Sequence, residues 1–299
     1  MSMPDNDVLQ RFLFEHSDVR GEIVSLGDAY RSVLTNNASV GAKGGLLGEF
    51  LAAAALLSAT LKFDGVITLQ AHPKNTGGVL DVLTADCTRH QNLRAIIRYN
   101  SDKVESCGDD DFDFQTIFSG GRLVITIDPA KGERYQGIVA ITQDSLSACL
   151  DDYFRQSEQL PTRIWLAADE HCASGLLLQA LPAQLQSFEQ REALWQHLTH
   201  LAHTLKSSEQ LQLSHKEQLH RLFHESALTL FTPETLQFRC SCSRSRTERM
   251  LTTLGESEVK AILDDLGFVS VTCEFCHYAY RFDAGQALGL FNPASPSLH

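Results

Sequence analysis

Four cysteines near the C-terminus constrain this chain more than any other feature of its sequence. They form the pattern Cys240-x-Cys242 and, thirty residues further on, Cys273-x-x-Cys276. Zinc prefers four soft ligands at the corners of a tetrahedron, and two close pairs of cysteines supply them with little strain. The first pair has a single intervening residue, tighter than usual, and the gap between the pairs is long. The pattern predicts that Cys240, Cys242, Cys273 and Cys276 together bind Zn²⁺.

The chain around these cysteines supports a structural role for the metal. The segment 232–299 carries few large apolar side chains, and a module of this size rarely folds without a metal or disulfides. Zinc binding contributes about 10–16 kcal/mol to the folding of such modules. We therefore expect the module to be folded with its metal and largely unfolded without it.

Thiolates that hold zinc can also sense oxidants, because they remain oxidisable. Cys240 and Cys242 are close enough in sequence to form a local disulfide, and so are Cys273 and Cys276. The single intervening residue strains the first disulfide and makes it easy to reduce again. Oxidation would release the zinc, remove its contribution to folding and so expose apolar surface. The spacing alone leaves two interpretations open, a purely structural zinc site and a redox switch.

The first 181 residues mix strand and helix patterns. Runs typical of strands occur at 21–26, 65–70, 78–83, 93–99, 122–127, 136–142, 163–167 and 175–181, and helical patterns occur at 28–34, 46–61 and 146–159. Short gaps between several strands favour hairpins over parallel crossovers. We expect an α+β domain over residues 1–181, built on a mostly antiparallel sheet.

Two further segments complete the predicted organisation. In residues 182–231, leucines recur at helical spacing, at positions 194, 198, 201 and 205. This segment has too few apolar residues for a core of its own, so we expect a helical linker that packs on another part of the protein. Residues 232–299 form the predicted zinc-binding domain, with a helix at 257–266 and short strands at 269–273 and 278–282.

Composition and charge exclude several classes of protein. The chain has 43% hydrophobic and 21% charged residues, as globular proteins do, and its net charge of -12 disfavours general binding to nucleic acid. Its most apolar segment, 46–61, is shorter than the roughly 20 residues that span a membrane, and Glu49 interrupts it. The N-terminus shows no secretory signal. We expect a cytoplasmic protein without membrane contact, in which disulfides do not form a resting framework.

The cysteines admit three other interpretations. Cys273-Glu-Phe-Cys276-His277 matches the c-type haem attachment pattern, but this leaves Cys240 and Cys242 unexplained. A thioredoxin-like pair needs a helix after Cys276, whereas the following residues have a strand pattern. A zinc ribbon that binds nucleic acid is the main alternative function, because arginines that could contact phosphate surround the first pair. These arginines are Arg239, Arg244, Arg246 and Arg249.

Other reactive residues carry weaker signals. Four further cysteines are expected to be buried as small apolar side chains, namely Cys87, Cys107, Cys149 and Cys172. Six histidines between His197 and His224 are expected on solvated helix faces, with a pH-sensitive linker as the alternative. The acidic run at 109–114 lacks the glycine and closing glutamate of a calcium-binding loop, so we interpret it as a charged loop.

Several longer segments resemble segments of one known protein family. They are RGEIV at 20–24, TLKFDG at 60–65, GERYQG at 132–137, DYFRQSEQLPTR at 152–163, LLLQALPAQ at 176–184, RLFHE at 221–225 and FRCSCSRSR at 238–246. With these segments the chain resembles the bacterial redox-regulated heat-shock chaperone family, also called the thirty-three-kilodalton chaperonin. The similarity runs from near the first residue to about Phe282.

The resemblance implies an N-terminal α+β domain that holds client proteins, a metastable linker and a C-terminal zinc domain that senses oxidants. It implies that the four cysteines are the zinc ligands and that they oxidise to the disulfides Cys240–Cys242 and Cys273–Cys276. It also implies an ATP-independent holdase, not an enzyme, that is inactive when reduced and active when oxidised, often as a homodimer. Its partners would be unfolded proteins and the ATP-driven chaperones that refold them.

The chain departs from the family pattern at two places. His277 follows the second cysteine pair where a small residue such as glycine is expected, so it could alter the turn or offer a further ligand. The acidic run at 109–113 is the other departure, and we interpret it as a variable loop. Neither departure involves the four cysteines.

Overall fold

The computed structural model describes residues 5–37, 45–61, 64–75, 77–104, 113–158, 160–182, 184–185 and 187–291. The chain divides after Arg239 into two compact units, which are described separately. None of the helices within the described ranges is long and apolar enough to cross a membrane.

The strands follow one another along the chain as β1 (Val8–Phe14), β2 (Val19–Leu26), β3 (Gly65–His72), β4 (Leu80–Thr88), β5 (Asn92–Tyr99), β6 (Arg122–Pro129), β7 (Tyr135–Ala140), β8 (Thr162–Ala168), β9 (Ala173–Ala180), β10 (Leu228–Leu230), β11 (Glu234–Thr235), β12 (Gln237–Phe238), β13 (Phe268–Thr272) and β14 (Ala279–Asp283). The helices are α1 (Asp28–Asn36), α2 (Gly45–Ala59), α3 (Ser101–Val104), α4 (Phe114–Phe118), α5 (Leu146–Tyr153), α6 (Phe188–Ala202), α7 (Ser207–Gln212), α8 (His215–Phe223), α9 (Arg244–Leu254), α10 (Glu256–Leu266) and α11 (Ala284–Gly289). A π-helical turn, Phe154–Glu158, directly extends α5.

The strands form two large sheets in the first unit and a hairpin in the second. The first sheet has the order β10-β1-β2-β9-β8, with β11 also paired to β1. The second sheet has the order β12-β5-β4-β3-β6-β7, and the pairing of β12 with β5 is parallel. The hairpin consists of β13 and β14. The predicted α+β class with mostly antiparallel sheet is confirmed.

Helix α2 is the centre of the core of the first unit. Its sequence is apolar on every side, and a helix of this kind must be buried on every side. It meets that demand by lying between the sheets, where it packs on β2, β8 and β9 of the first sheet and on β3, β4 and β5 of the second. Gly48 permits the close approach, because a Cβ atom there would come within 2.6 Å of Ala168 Cβ.

The first sheet buries both of its faces. Side chains such as Leu9 and Val24 belong to the core around α2, whereas their neighbours along the strands pack on α6 and α8. This second cluster, the linker interface, consists of Phe12, Phe14, Val19, Ile23, Leu176, Leu178, Leu198, Ala202, Leu219, Leu222 and Phe223. The predicted linker therefore packs on the sheet of the first unit rather than on a core of its own.

Both ends of the linker are tied to the first sheet. At its start, the buried carboxylate of Asp18 accepts hydrogen bonds from the main-chain N–H groups of Gln184 and Leu185, each at 3.0 Å. At its end, β10 and β11 pair with β1. Between these anchors, Ser187 and Ser214 form capping boxes at the N-termini of α6 and α8.

Two buried titratable groups of the first unit have polar atoms without a hydrogen-bond partner among the described residues. His215 Nε2 lies 2.9 Å from Ser25 Oγ, but its Nδ1 has no partner, and neither carboxylate oxygen of Glu22 has one. Burial lowers the pKa of His215 to about 4 and raises the pKa of Glu22 to about 7. The folded unit therefore favours the uncharged form of both side chains.

The second unit has a small core. Its buried apolar residues come from α9, α10, β13, β14 and α11, and they are Leu251, Val259, Leu263, Val269, Phe282 and Ala287. Arg244 covers one side of Phe282, with its guanidinium 4.2 Å from the ring centroid. Within residues 240–291, six buried side chains form a small core for a unit of this length, as the sequence predicted.

The structure differs from the sequence-based expectations at a few elements. Strand β1 was not predicted, because both of its faces are buried and its apolar residues do not alternate cleanly with polar ones. Helix α9 was not predicted either, because it buries only Thr247 and Leu251. The predicted helix at 146–159 becomes α5 followed by the π-helical turn. Strand β10 lies before the predicted boundary at 231/232, and β11 and β12 lie after it. All three nevertheless pair with β1 or β5 of the first unit.

The linker interface leads to a test of linker packing. Leu198 is fully buried in it, whereas Leu185 is 68% exposed. We expect Leu198→Ala to lower the free energy of unfolding of α6 to α8 by about 2–5 kcal/mol, because it leaves a cavity. Native-state hydrogen exchange of residues 188–223 measures this change. Leu185→Ala is the control, and equal protection in the two variants would contradict the packing described.

Burial of His215 leads to a test of pH dependence. Its pKa is about 4 in the folded protein and 6.5 ordinarily, so its contribution to stability is complete above pH 6.5 and is lost as pH falls toward 4. Asp5, whose carboxylate accepts the His215 main-chain N–H, is the facing charge and opposes this shift. Between pH 7.5 and 5 we expect the wild-type free energy of unfolding in urea to fall by about 2 kcal/mol more than that of His215→Gln. His200→Gln, at an exposed position, should keep the wild-type dependence.

Candidate metal centre

The four cysteines lie in two loops of the second unit. Cys240 and Cys242 follow β12, and α9 begins directly after them with Ser243 as its N-cap residue. Cys273 and Cys276 lie in the tight turn between β13 and β14. The Cys273 main-chain N–H donates to the Tyr278 carbonyl at 2.9 Å, which closes that turn. Each pair is therefore flanked on both sides by a strand or a helix that fixes its position.

The fold brings the four sulfur atoms together. All four Sγ atoms lie within 4.8 Å of one another. Cys240 Sγ is 3.6 Å from Cys273 Sγ, and Cys242 Sγ is 3.5 Å from Cys276 Sγ. A disulfide would bring two sulfurs to about 2.05 Å, whereas a tetrahedral thiolate site with metal–sulfur bonds of about 2.3 Å separates them by about 3.8 Å. The thiols are free, and their spacing fits a metal ion better than a disulfide.

The proton affinities of the thiols are coupled. Partial burial raises the pKa of Cys273 and raises the pKa of Cys276 to about 12. Burial also opposes ionisation of Cys240, but hydrogen bonds from Cys242 and the other two thiols outweigh it and lower the Cys240 pKa. Cys240 therefore loses its proton more readily than an ordinary thiol, whereas Cys273 and Cys276 hold theirs more tightly unless a cation balances the charge. A soft divalent ion is the cation that four sulfur ligands select.

Tyr280 adds a contact that the sequence did not reveal. Its hydroxyl donates a hydrogen bond to Cys242 Sγ at 3.2 Å, and this bond raises the pKa of Tyr280. The residue lies on β14, four positions after Cys276, and its ring packs against Tyr278. The strand pattern could place Tyr280 on β14, but nothing in it identifies a hydroxyl that reaches a sulfur of the other loop.

His277 occupies an unusual backbone conformation. Its φ angle is +54°, in the left-handed region that glycine adopts without strain. Its main-chain N–H donates to the Cys273 carbonyl at 2.8 Å. Among the described residues, the cluster that could hold a metal contains the four cysteines and not His277. The glycine expected at this position is thus explained by the turn.

Two of the four arginines beside the first cysteine pair, Arg244 and Arg246, bond within the second unit. Arg244 donates to the Arg281 carbonyl at 3.1 Å and also covers the Phe282 ring. Arg246 donates to Ser241 Oγ at 2.8 Å and to its carbonyl at 3.1 Å. Because Ser241 stands between Cys240 and Cys242, Arg246 braces the loop that carries both thiols.

Three of the remaining cysteines lie apart from the cluster. Cys87, Cys149 and Cys172 are buried, as predicted, and burial raises their pKa to about 12, about 11 and about 12. Their thiols are therefore protonated and poorly reactive at neutral pH. Cys107 and most of the acidic run at 109–114 lie outside the described residues.

The other interpretations of the second cysteine pair lose their support. Cys273 and Cys276 share one cluster with Cys240 and Cys242, which the haem attachment pattern leaves out. The chain continues from Cys276 into β14 rather than into a helix, so the thioredoxin-like arrangement is absent from this part of the described chain.

Comparisons with known proteins agree with one another. The family model described as Hsp33 protein matches residues 7–283. The 33 kDa chaperonin of Pseudomonas aeruginosa PAO1 is 45% identical over 97% of this chain and 96% of its own length. That of Ectopseudomonas mendocina is 46% identical over 96% of this chain and 95% of its own length. The crystal structure of the 33 kDa chaperonin from Thermotoga maritima superposes with a TM-score of 0.78, covering 96% of this chain and 98% of that one at 19% identity, and thus shows the same fold.

The turn at His277 leads to a test with two variants. Glycine tolerates the left-handed conformation and alanine does not, so we expect the metal-loaded second unit to be about 1 kcal/mol more stable in His277→Gly than in His277→Ala. Thermal unfolding of the metal-loaded protein measures the difference. Metal content should be equal in both variants and in the wild type. A loss of metal in both would identify His277 as a ligand instead.

Proposed function

This chain belongs to the Hsp33 family of chaperones, and on that premise we propose that it is a redox-regulated, ATP-independent holdase switched on by thiol oxidation and zinc release. It binds unfolding proteins under oxidative stress and catalyses no reaction. The observation that carries the proposal is the cluster of four free thiols within 4.8 Å of one another, in a unit with a small apolar core.

Zinc is the metal that we propose for this cluster. Cys240, Cys242, Cys273 and Cys276 would hold it, and their all-sulfur donor set and spacing support zinc. The ion would join the loop before α9 to the turn of the β13–β14 hairpin. Two segments about thirty residues apart in sequence would then depend on one ion for their mutual position.

Oxidation would remove these ligands as two disulfides, Cys240–Cys242 and Cys273–Cys276. Each disulfide forms with the loss of two electrons from its pair of thiolates, and one equivalent of peroxide accepts them and is reduced to water. In the reduced protein, Cys240 lies 3.6 Å from Cys273 and Cys242 lies 3.5 Å from Cys276, so each loop contacts the other, as expected for two loops around one ion. The local pairing that we propose follows the sequence spacing and the family, and it lets the two loops separate once zinc has left.

Separation of the loops would act on the linker through the chain itself. Cys240 follows directly after Arg239, whose main-chain N–H donates to the Leu93 carbonyl at 3.0 Å beside the β12–β5 pair. This attachment and the short strands β10 and β11 separate the zinc site from α8. Because the linker helices have no core of their own, disorder that spreads back from Cys240 would uncover the linker interface. The apolar side chains of its sheet face would then be available to clients.

The remaining parts of the proposal concern partners and location. Clients are unfolded or partly unfolded proteins, which are passed to ATP-driven refolding chaperones when reducing conditions return. We further propose a cytoplasmic location and a homodimeric oxidised state. The alternative, a zinc ribbon that binds nucleic acid, is less well supported because Arg244 and Arg246 already bond within the second unit and the net charge is -12.

The switch is tested by following zinc and client aggregation together. Reduced, zinc-loaded protein is compared with protein treated with peroxide at mildly elevated temperature. We expect oxidation to release about one zinc per chain, measured with a chromogenic chelator, and to switch on suppression of aggregation of a heat-unfolding client, reversibly with dithiothreitol.

The matched control for this test is Cys149→Ser, which changes a buried thiol outside the cluster. It should release zinc and switch on as the wild type does. If zinc stays bound, or leaves without any gain in client binding, the site is a purely structural metal site and not a redox switch. Salt-sensitive binding to nucleic acid that depends on the arginines would then favour the alternative.

A further inference from the structure

Strand β7 is an edge strand with an open side. Among the described residues it pairs with β6 alone, in a register that sets Gly137 against Ile125. Ile141, just past the strand, donates its N–H to the Gly121 carbonyl on the β6 side at 3.0 Å. Hydrogen-bonding direction alternates along an antiparallel strand, so Gly137 and Val139 also bond toward β6. The N–H and C=O groups of Gln136, Ile138 and Ala140 therefore point outward.

This edge lacks the features that usually protect an exposed strand. Residues 135–140 contain no charged side chain and no proline. Ile138 is 65% exposed and Tyr135 is 46% exposed. Natural edge strands are normally blunted by charges, proline, bulges or covering segments, because an open apolar edge is a template for another strand.

The other edges of the two sheets are protected or short. At β8, which borders the first sheet, Asp151 accepts the outward N–H of Ile164 at 3.0 Å and also binds the Arg163 side chain at 2.9 Å. Pro161 precedes that strand. At the remaining edges, β10 has three residues and β12 has two. Among the described edges of the two large sheets, the open side of β7 is thus an exception.

We propose that the outer edge of β7 binds extended segments of non-native polypeptides by strand addition. The proposal rests on the proposed holdase function and assigns part of client binding to a defined surface. Main-chain hydrogen bonds to Gln136, Ile138 and Ala140 would serve any extended sequence, and the exposed side chain of Ile138 would favour apolar ones. A holdase that must accept many clients needs contacts of this sequence-independent kind.

A client segment fits this edge better than a second copy of the chain does. Two strands of six residues make a small contact compared with the roughly 1,200–2,000 Å² that stable complexes bury. A transient, weak contact is sufficient for a client, because the apolar linker interface released by oxidation would add to it. Before oxidation, β7 alone would hold clients only weakly, which agrees with an inactive reduced state.

The test uses the full-length oxidised protein and a fluorescein-labelled peptide of eight alternating threonine and valine residues. A second peptide of the same sequence has every main-chain nitrogen methylated, so it cannot donate to a strand. We expect fluorescence anisotropy to show binding of the first peptide and about tenfold or more weaker binding of the second. Equal binding of both peptides would overturn the proposal, because side chains alone would then explain it.

Two variants locate the site. Ile138→Lys places a charge on the edge, and Ala140→Pro removes an outward N–H without removing a bond to β6. Each should weaken binding of the unmethylated peptide about tenfold, with unchanged circular dichroism and thermal unfolding. Leu230→Lys, at an exposed apolar position of β10, should change it less than about twofold. Unchanged binding in both β7 variants, or equal losses in all three, would overturn the proposal.

Two further measurements separate the outcomes. If sedimentation shows an oxidised wild-type dimer that Ile138→Lys converts to monomer, β7 is an interface between copies and the client assignment is wrong. Suppression of client aggregation is measured in parallel for the wild type and the variants. If the oxidised wild-type protein does not suppress client aggregation, the proposed function is contradicted. If both β7 variants suppress it fully, only the assignment to this edge is contradicted.

Discussion

The rest of the structure depends on one requirement, that the apolar outer face of the first sheet be covered. The inner face packs on α2, which is held on both sides and has no freedom to leave. The outer face packs on the linker helices, which gain their stability from this contact because they have no separate core. In the proposed mechanism, α2 is the permanent cover of this sheet and the linker helices are a conditional cover. Control of the conditional cover by the neighbouring cysteine unit is what our proposed mechanism requires.

The four-cysteine cluster and the packing of a helical segment without its own core on the sheet were accessible from the sequence, because both follow from residue spacing. Four cysteines in two close pairs can meet only where two loops converge. Leucines at helical spacing without a second apolar stripe predict a helix that must pack on another part of the protein. Strand β1 escaped prediction for the opposite reason. It is buried on both faces, so its pattern lacks the alternation that marks a half-exposed strand. Helix α9 buries only Thr247 and Leu251, so its sequence lacks the apolar stripe that marks an amphipathic helix.

Features that depend on the relative placement of distant segments could not be derived from the sequence. Tyr280 contacts Cys242 across 38 positions of the chain, and the carboxylate of Asp151 reaches the edge of β8 across thirteen. The open edge of β7 depends on the order of the strands in the sheet, and the positions of the strands along the sequence do not determine that order. His277 shows the intermediate case. The sequence suggested that glycine belonged there, and the left-handed backbone supplies the physical reason.

Asp18 and β10 hold the two ends of the linker on the same sheet. If α6 to α8 detach while these anchors remain, the released segment is a closed loop rather than a dangling arm. The entropic cost of closing such a loop grows only with the logarithm of its length, and the melted segment stays near the surface it left for as long as β10 remains paired with β1. Re-covering the sheet then requires local refolding and no search by a diffusing chain end. In the proposed mechanism, a bound client would therefore compete with a segment that stays tethered nearby, and restoring the zinc site would favour release of the client.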